Sequence, residues 1–108
     1  MKIFRVEARA DDPLAAAAAF YAGDLKRIAG AVQDHLMLVF PPADHRHRGW
    51  RVAIVQQLAR DFAPSRVNAV ASDDEAAIAA AHQYLETAPA ITGHYLPLDG
   101  EGAGLVIG

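Results

Sequence analysis

Two stretches decide the fold: Leu58–Ala71 reads LARDFAPSRVNAVA, and Ile91–Gly100 reads ITGHYLPLDG. In the first, a helical pattern stops before Pro64, because the residue before a proline is disfavoured in a helix. An apolar run over 66–71 then predicts a short strand. The second stretch predicts a last strand over 95–98. A helix that leads directly into an apolar strand is typical of a βαβ unit.

The same alternation extends toward the N-terminus. Alternating apolar residues over 2–8 predict a first strand. The run HLMLVF at His35–Phe40 predicts a strand buried on both faces of a parallel sheet. The pattern therefore predicts an α/β fold, with a small parallel (Rossmann-like) sheet of about four strands and about three to four helices.

Helix boundaries can be placed by their caps. Asp11, Asp12 and Pro13 favour a helix start, and Gly23 suits its end, with a second short helix over about 24–33. Ser72 and Glu75 form a capping-box pattern before a helix that reaches about residue 87. A further helix is predicted over about 44–62. Its apolar positions recur at helical spacing and are Val52, Val55, Leu58/Ala59 and Phe62.

Composition excludes several classes of protein. The 108 residues have room for one domain, and we expect a flexible tail from about residue 100. There is no cysteine, so disulfides and thiolate metal sites are excluded. No apolar run approaches the ~20 residues of a membrane span. A pI near 5.9 argues against nucleic acid as a partner. We expect a cytoplasmic, bacterial protein.

Charge is distributed unevenly along the chain. Residues 1–66 hold all ten Lys and Arg with seven acids, a net charge of +3, whereas residues 67–108 hold six acids and no Lys or Arg, a net charge of −6. Such asymmetry can be neutralised within the fold, across a homodimer, or by a charged partner.

The two quoted stretches resemble the C-terminal half of short-chain dehydrogenases/reductases, closest to ketoreductases that act on acyl carrier proteins. That family reads LARELAP and RVNAVAP where this chain reads LARDFAP and RVNAVAS, and ITGQTLPVDGG where this chain reads ITGHYLPLDG. The likeness covers about 44–102. The family also implies that Asn68 is structural and that the helix over about 44–62 contributes to a dimer interface.

The family's catalytic residues are absent from the corresponding positions. Its Tyr-x-x-x-Lys pair falls on Asp44 and Arg48, and Pro41-Pro42 follows the strand where its serine stands. A carboxylate is ionised near neutral pH and is a poor general acid, and a guanidinium stays charged. Tyr21 and Lys26 are the nearest substitute pair, but four residues lie between them, whereas the family's pair has three. We expect no catalytic site.

The cofactor-binding features are absent as well. Residues 1–14 contain no glycine, whereas the family's glycine-rich loop binds the dinucleotide pyrophosphate after the first strand. The repeat at Gly100, Gly102 and Gly104 precedes no helix and is interpreted as a C-terminal turn. Because a helix opens at Ser72, the family's substrate loop is also missing. We expect no cofactor and describe the chain as a truncated, degenerate relative.

The densest polar segment is DHRHRGWR at Asp44–Arg51. It is open to three interpretations. His45 and His47 can be read as part of a metal site, although two residues apart on a helix they point in different directions. Alternatively, one cluster can bind an anion or an acidic protein; its members are Arg46, Arg48, Trp50 and Arg51. Finally, the segment can be an ordinary solvated first helical turn, as the acids Asp73–Glu75 are for the next helix.

Three functions therefore remain as expectations. The first is a non-catalytic interaction module, a pseudoenzyme that forms a homodimer or a heteromer with a full-length reductase. The second is an accessory of fatty-acid or polyketide-type acyl-chain reduction that contacts an acidic acyl carrier protein. The third is a residual NAD(P)-dependent oxidoreductase or nucleotide-binding protein.

Overall fold

Strand–helix alternation produces one parallel sheet. The computed structural model describes residues 1–7, 10–31 and 34–98. Its strands are β1 (Lys2–Arg5), β2 (Leu36–Phe40), β3 (Val67–Ala71) and β4 (Tyr95–Pro97), in the spatial order β1-β2-β3-β4. Its α-helices are α1 (Pro13–Ala19), α2 (Leu25–Ala31), α3 (Arg48–Asp61) and α4 (Glu75–Glu86). The predicted α/β class with a small parallel, Rossmann-like sheet is confirmed.

The two central strands supply most of the core. Every residue of β2 and β3 is buried, as expected for strands covered on both faces. Alternate residues divide the core into two layers: Leu38 and Phe40 pack toward α1, α2 and α3, whereas Met37 and Val39 pack toward α4. We call these the three-helix face and the α4 face.

The position of α4 makes the last connection different from the others. The strands follow one another in sequence order, and the helices between β1, β2 and β3 all cover the three-helix face, whereas α4 covers the opposite face. The β3–α4–β4 connection therefore has the opposite hand to the first two. Since about 98% of such connections are right-handed, this one is the exception. Its consequence is that no α-helix of the connection covers β4 on the three-helix face.

The expected helix end at Gly23 is wrong. A π-helical turn (Phe20–Asp24) joins α1 to α2, and the amide of Leu25 bonds the carbonyl of Phe20. The helix continues because both ends of this turn are anchored: Phe20 is fully buried, and the Asp24 carboxylate accepts the amide of Glu7 at 2.9 Å. Asp12 caps α1 with Pro13 in its first turn, as predicted.

The capping box predicted from Ser72 and Glu75 is also wrong. The cap of α4 is Asp74, whose carboxylate accepts the amides of Ala76 and Ala77. The Ser72 hydroxyl accepts the amide of Asp74 at 3.0 Å, and so it orders the turn before the helix. Glu75 does not reach back to a cap amide, because it forms two hydrogen bonds with the guanidinium of Arg5 across the α4 face.

Several predicted features lie partly or wholly outside the described residues. The expected strand over 2–8 is shorter, with β1 ending at Arg5, and residues 8 and 9 lie outside the described part. The expected tail from about 100 and the glycine repeat at 100–104 also lie outside it.

Candidate functional site

The carboxyl ends of the strands form the edge at which open parallel sheets bind ligands. At this edge, a cleft of about 220 Å³ lies between the segments that follow β1 and β2, and it is lined by residues 10–11, 41–44 and 46–47 with Ala16 and Arg51. Drug-sized and cofactor-sized ligands occupy pockets of roughly 300–1,000 Å³. The cleft is therefore small for a dinucleotide.

Asp44 stands at the position of the family's tyrosine and is committed to local structure. Its carboxylate accepts the amide of Arg46 at 3.0 Å and pairs with the Arg46 guanidinium. The hydrogen bond from that guanidinium lowers the pKa of Asp44 below its ordinary value of 3.8. An exposed carboxylate with such a pKa is ionised near neutral pH, so Asp44 has no proton to donate to a substrate.

Arg48, at the position of the family's lysine, faces a different part of the surface. Its guanidinium carbon lies 6.0 Å from the centre of the Tyr95 ring. The side chain lines a groove along α3 and is absent from the lining of the cleft that contains Asp44. The two residues that replace the catalytic pair therefore face no common reaction site.

Arg51 occupies the interior beside the cleft. The residue is only 3% exposed, and its guanidinium donates to the carbonyl of Pro41 at 2.8 Å and to the Tyr95 hydroxyl at 3.0 Å. Its guanidinium carbon lies 4.6 Å from the centre of the Phe40 ring. The Nε atom has no hydrogen-bond partner among the residues that the structure describes. A cation thus ties the end of β2 to β4 beside the cleft.

His47 is a structural residue. Its Nε2 lies 3.0 Å from the carbonyl of Asp11, and its Nδ1 lies 3.0 Å from the indole nitrogen of Trp50. A carbonyl only accepts and an indole N–H only donates, so the neutral ring with a proton on Nε2 satisfies both contacts. Neither nitrogen is left for a metal ion, and His45 is exposed. Within the described residues, no three His, Cys, Asp or Glu side chains are grouped as metal ligands.

The predicted four-residue cluster is brought together only in part: Arg46 and Arg51 line the same cleft, and the guanidinium carbon of Arg51 lies 5.5 Å from the centre of the Trp50 ring. Arg46 lies at the cleft and pairs with Asp44, Arg48 lines the groove along α3, and Arg51 is buried. Trp50 is half-buried, with its ring 5.7 Å from that of Phe40. Of these four residues, only Arg46 and Arg48 have exposed side chains.

The other candidates also have structural roles or stand apart. Asn68 is fully buried; it donates to the carbonyl of Ile91 at 2.9 Å and accepts the amide of His94, which confirms a structural role. Tyr21 and Lys26 are exposed on the π turn and α2, and neither lines the cleft.

Sequence reasoning missed two buried groups. The helical stripe expected at Val52, Val55, Leu58/Ala59 and Phe62 packs against the core, with Val52, Ala59 and Phe62 partly buried. The fully buried residues of α3 are Arg51, Ile54, Val55 and Leu58. The i, i+3, i+4, i+7 spacing of these four residues was a usable signal, but an arginine is rarely assigned to a core. Asp24 gave no comparable signal, because only the folded chain brings it to the amide of Glu7.

A comparison of the chain with protein-family models agrees with this fold. Residues 4–98 match the model of the short chain dehydrogenase-like proteins. Because the match spans most of the chain, the protein belongs to that family. No curated protein and no solved structure matches the chain. None of the helices in the described part of the chain has the length and apolarity needed to cross a membrane.

Proposed function

We propose that this chain is a non-catalytic short chain dehydrogenase-like domain that acts by binding proteins, including a second copy of itself. The proposal rests on the structural roles of Arg51 and Asp44 at the carboxyl edge of the sheet. Arg51 spans from Pro41 to Tyr95 beside a cleft of about 220 Å³, and Asp44 is held ionised by Arg46. Both groups serve the fold, and neither offers a proton to the cleft.

Two exposed features support self-association. The first is an apolar stripe along α1 and the π turn, in which Leu14 is 81% exposed and Tyr21 is 54% exposed. The second is the outer edge of β1, where the backbone of Ile3 and Arg5 points away from β2 in a parallel ladder. The opposite edge is blunted, because Pro97 in β4 lacks an amide proton. Exposed apolar patches and open strand edges favour pairing with another chain.

Light scattering over a range of concentrations tests this proposal. We expect a dimer that dissociates on dilution, and L14E should weaken dimerisation at least about tenfold, because a buried unpaired carboxylate is costly. A79E is the matched control, since Ala79 is exposed on α4. A strict monomer at all concentrations would contradict self-association.

The heteromeric form of the proposal includes a full-length reductase or an acidic acyl carrier protein as partner, which would make the chain an accessory of acyl-chain reduction. The exposed guanidinium groups of Arg46 and Arg48 support a contact with an acidic surface. Reversing both charges should abolish binding of a purified carrier protein. Unchanged binding would rule out that contact.

A further inference from the structure

A groove runs along the outer side of α3 on the three-helix face. One wall is α3 and the other is the segment Thr92–Tyr95, and the enclosed volume is about 670 Å³. A second depression of about 560 Å³ continues it toward His45 and shares Arg48, Val52 and Gln56 with it. We call the two together the α3 groove.

The α3 groove lies where a further helix of this layer would stand. The α-helices α1, α2 and α3 cover the three-helix face, and α4 crosses on the other face. Among the described residues, no helix lies beside α3 over β4. Val52 and Ala59 are the small, apolar side chains of the α3 wall, and at these two positions another helix can approach to the usual 8–10 Å.

The charge of the α3 groove is one-sided. Arg48, Val52, Gln56 and Arg60 follow each other at four-residue spacing along its wall. No described Asp or Glu lines the groove, and no described carboxylate forms an ion pair with Arg48 or Arg60. Arg60 donates to the side-chain oxygen of Gln57 at 2.9 Å, and neither guanidinium has an acidic partner among the described residues. In a chain of net charge −3, this surface is therefore complementary to acid.

The spacing of the two arginines selects among acidic occupants. Twelve residues of helix separate them by about 18 Å along the axis. A phosphate or a small carboxylate can contact only one of them. A helix that lies along the α3 groove can contact both if it carries acids about three turns apart. An antiparallel second copy of α3 is disfavoured, because Arg48 would then face Arg60 of the partner copy.

From these observations we propose that the α3 groove docks an amphipathic helix of another protein, with small apolar residues against Val52 and Ala59 and carboxylates at Arg48 and Arg60. This inference rests on the proposed role as a protein-binding module and adds a surface and a partner chemistry. Apolar anchors in a groove supply affinity, and the flanking charges supply orientation.

Fluorescence anisotropy with a synthetic helix tests the inference. The probe is a labelled peptide of about 16 residues, with Ala and Leu on one face and two Glu about twelve residues apart. We expect the full chain to bind it, and R48E/R60E to bind at least about tenfold more weakly. K2E/K26E is the matched control: it makes the same change in net charge at two exposed lysines outside the groove, and it should bind like the parent chain.

Three outcomes would overturn the inference. The first is that the peptide does not bind at about millimolar chain. The second is that both double variants weaken peptide binding equally. The third is that R48E/R60E no longer dimerises in light scattering, which would make the second copy the occupant. The first two leave the proposed function standing if the chain still dimerises. A chain that neither dimerises nor binds a carrier protein would instead remove the proposed function.

Discussion

At the scale of single residues, Arg51 gives the proposed non-catalytic role its most direct support. Its guanidinium bonds Pro41 and Tyr95 beside the cleft and contacts the Phe40 ring. The sequence predicted that Asp44 and Arg48 cannot act as the family's pair, and the structure adds that they face different surfaces. The burial of Arg51 was missed, because its type suggests exposure even though its helical spacing suggests a core position.

Removing this side chain should destabilise the fold. R51A deletes the packing against Phe40 and leaves the Tyr95 hydroxyl and the Pro41 carbonyl without their donor, so we expect a loss of about 2–4 kcal/mol in the free energy of unfolding. R51M keeps most of the packing and removes a buried charge but leaves the same two groups without a donor, so its cost should be smaller, about 1–2 kcal/mol. Urea denaturation measures both. Equal stability of R51A and the parent chain would contradict a structural role.

Asp44 makes a prediction about pH. Its folded-state pKa lies below its ordinary value of 3.8, because the Arg46 guanidinium stabilises the carboxylate. The stability that the ionised group contributes is therefore present above the unfolded value and is lost as the pH falls through the folded one. D44N should lower the melting temperature at pH 7, and the difference from the parent chain should shrink toward pH 3. A difference that is independent of pH would refute this account.

At the scale of elements, the hydrophobic pattern and the capping residues predict that a helix or strand exists better than they predict where it begins and ends. All four strands were predicted. The buried strands β2 and β3 are continuous apolar runs, whereas β1 was recognised by its alternation of apolar and polar residues. The join of α1 to α2 was not predicted, since the pattern around Gly23 carries no sign of the contact between Asp24 and Glu7 that holds the π turn. The cap of α4 was misplaced because neighbouring Ser72 and Asp74 both suit the role, and only the backbone geometry distinguishes them.

The corrected cap can be tested by substitution. D74A removes the carboxylate that accepts the amides of Ala76 and Ala77, so we expect a loss of about 1 kcal/mol, within a range of roughly 0.5–2. E75A removes only an exposed pair with Arg5 and should cost less. Thermal unfolding of the two variants compares them directly. A larger effect from E75A would restore the capping box expected from the sequence.

At the scale of the whole molecule, one feature of topology has consequences for binding. Because α4 crosses on the opposite face, α3 is the last helix of the three-helix layer in the described part of the chain, and no described helix occupies the α3 groove. The hand of this last connection could not be read from the sequence, because strand and helix patterns do not state which face a helix covers. Membership of the short chain dehydrogenase-like family describes the scaffold, and a buried arginine of this chain lies beside the cleft at the carboxyl edge of the sheet.

Calorimetric titration of the full chain with NADH and NADPH is the sharpest test of the proposed non-catalytic role, because a domain that lacks the family's chemistry would have no use for its cofactor. We expect no saturable heat of binding up to about millimolar cofactor. A one-site isotherm with a Kd of about 100 μM or below would contradict it.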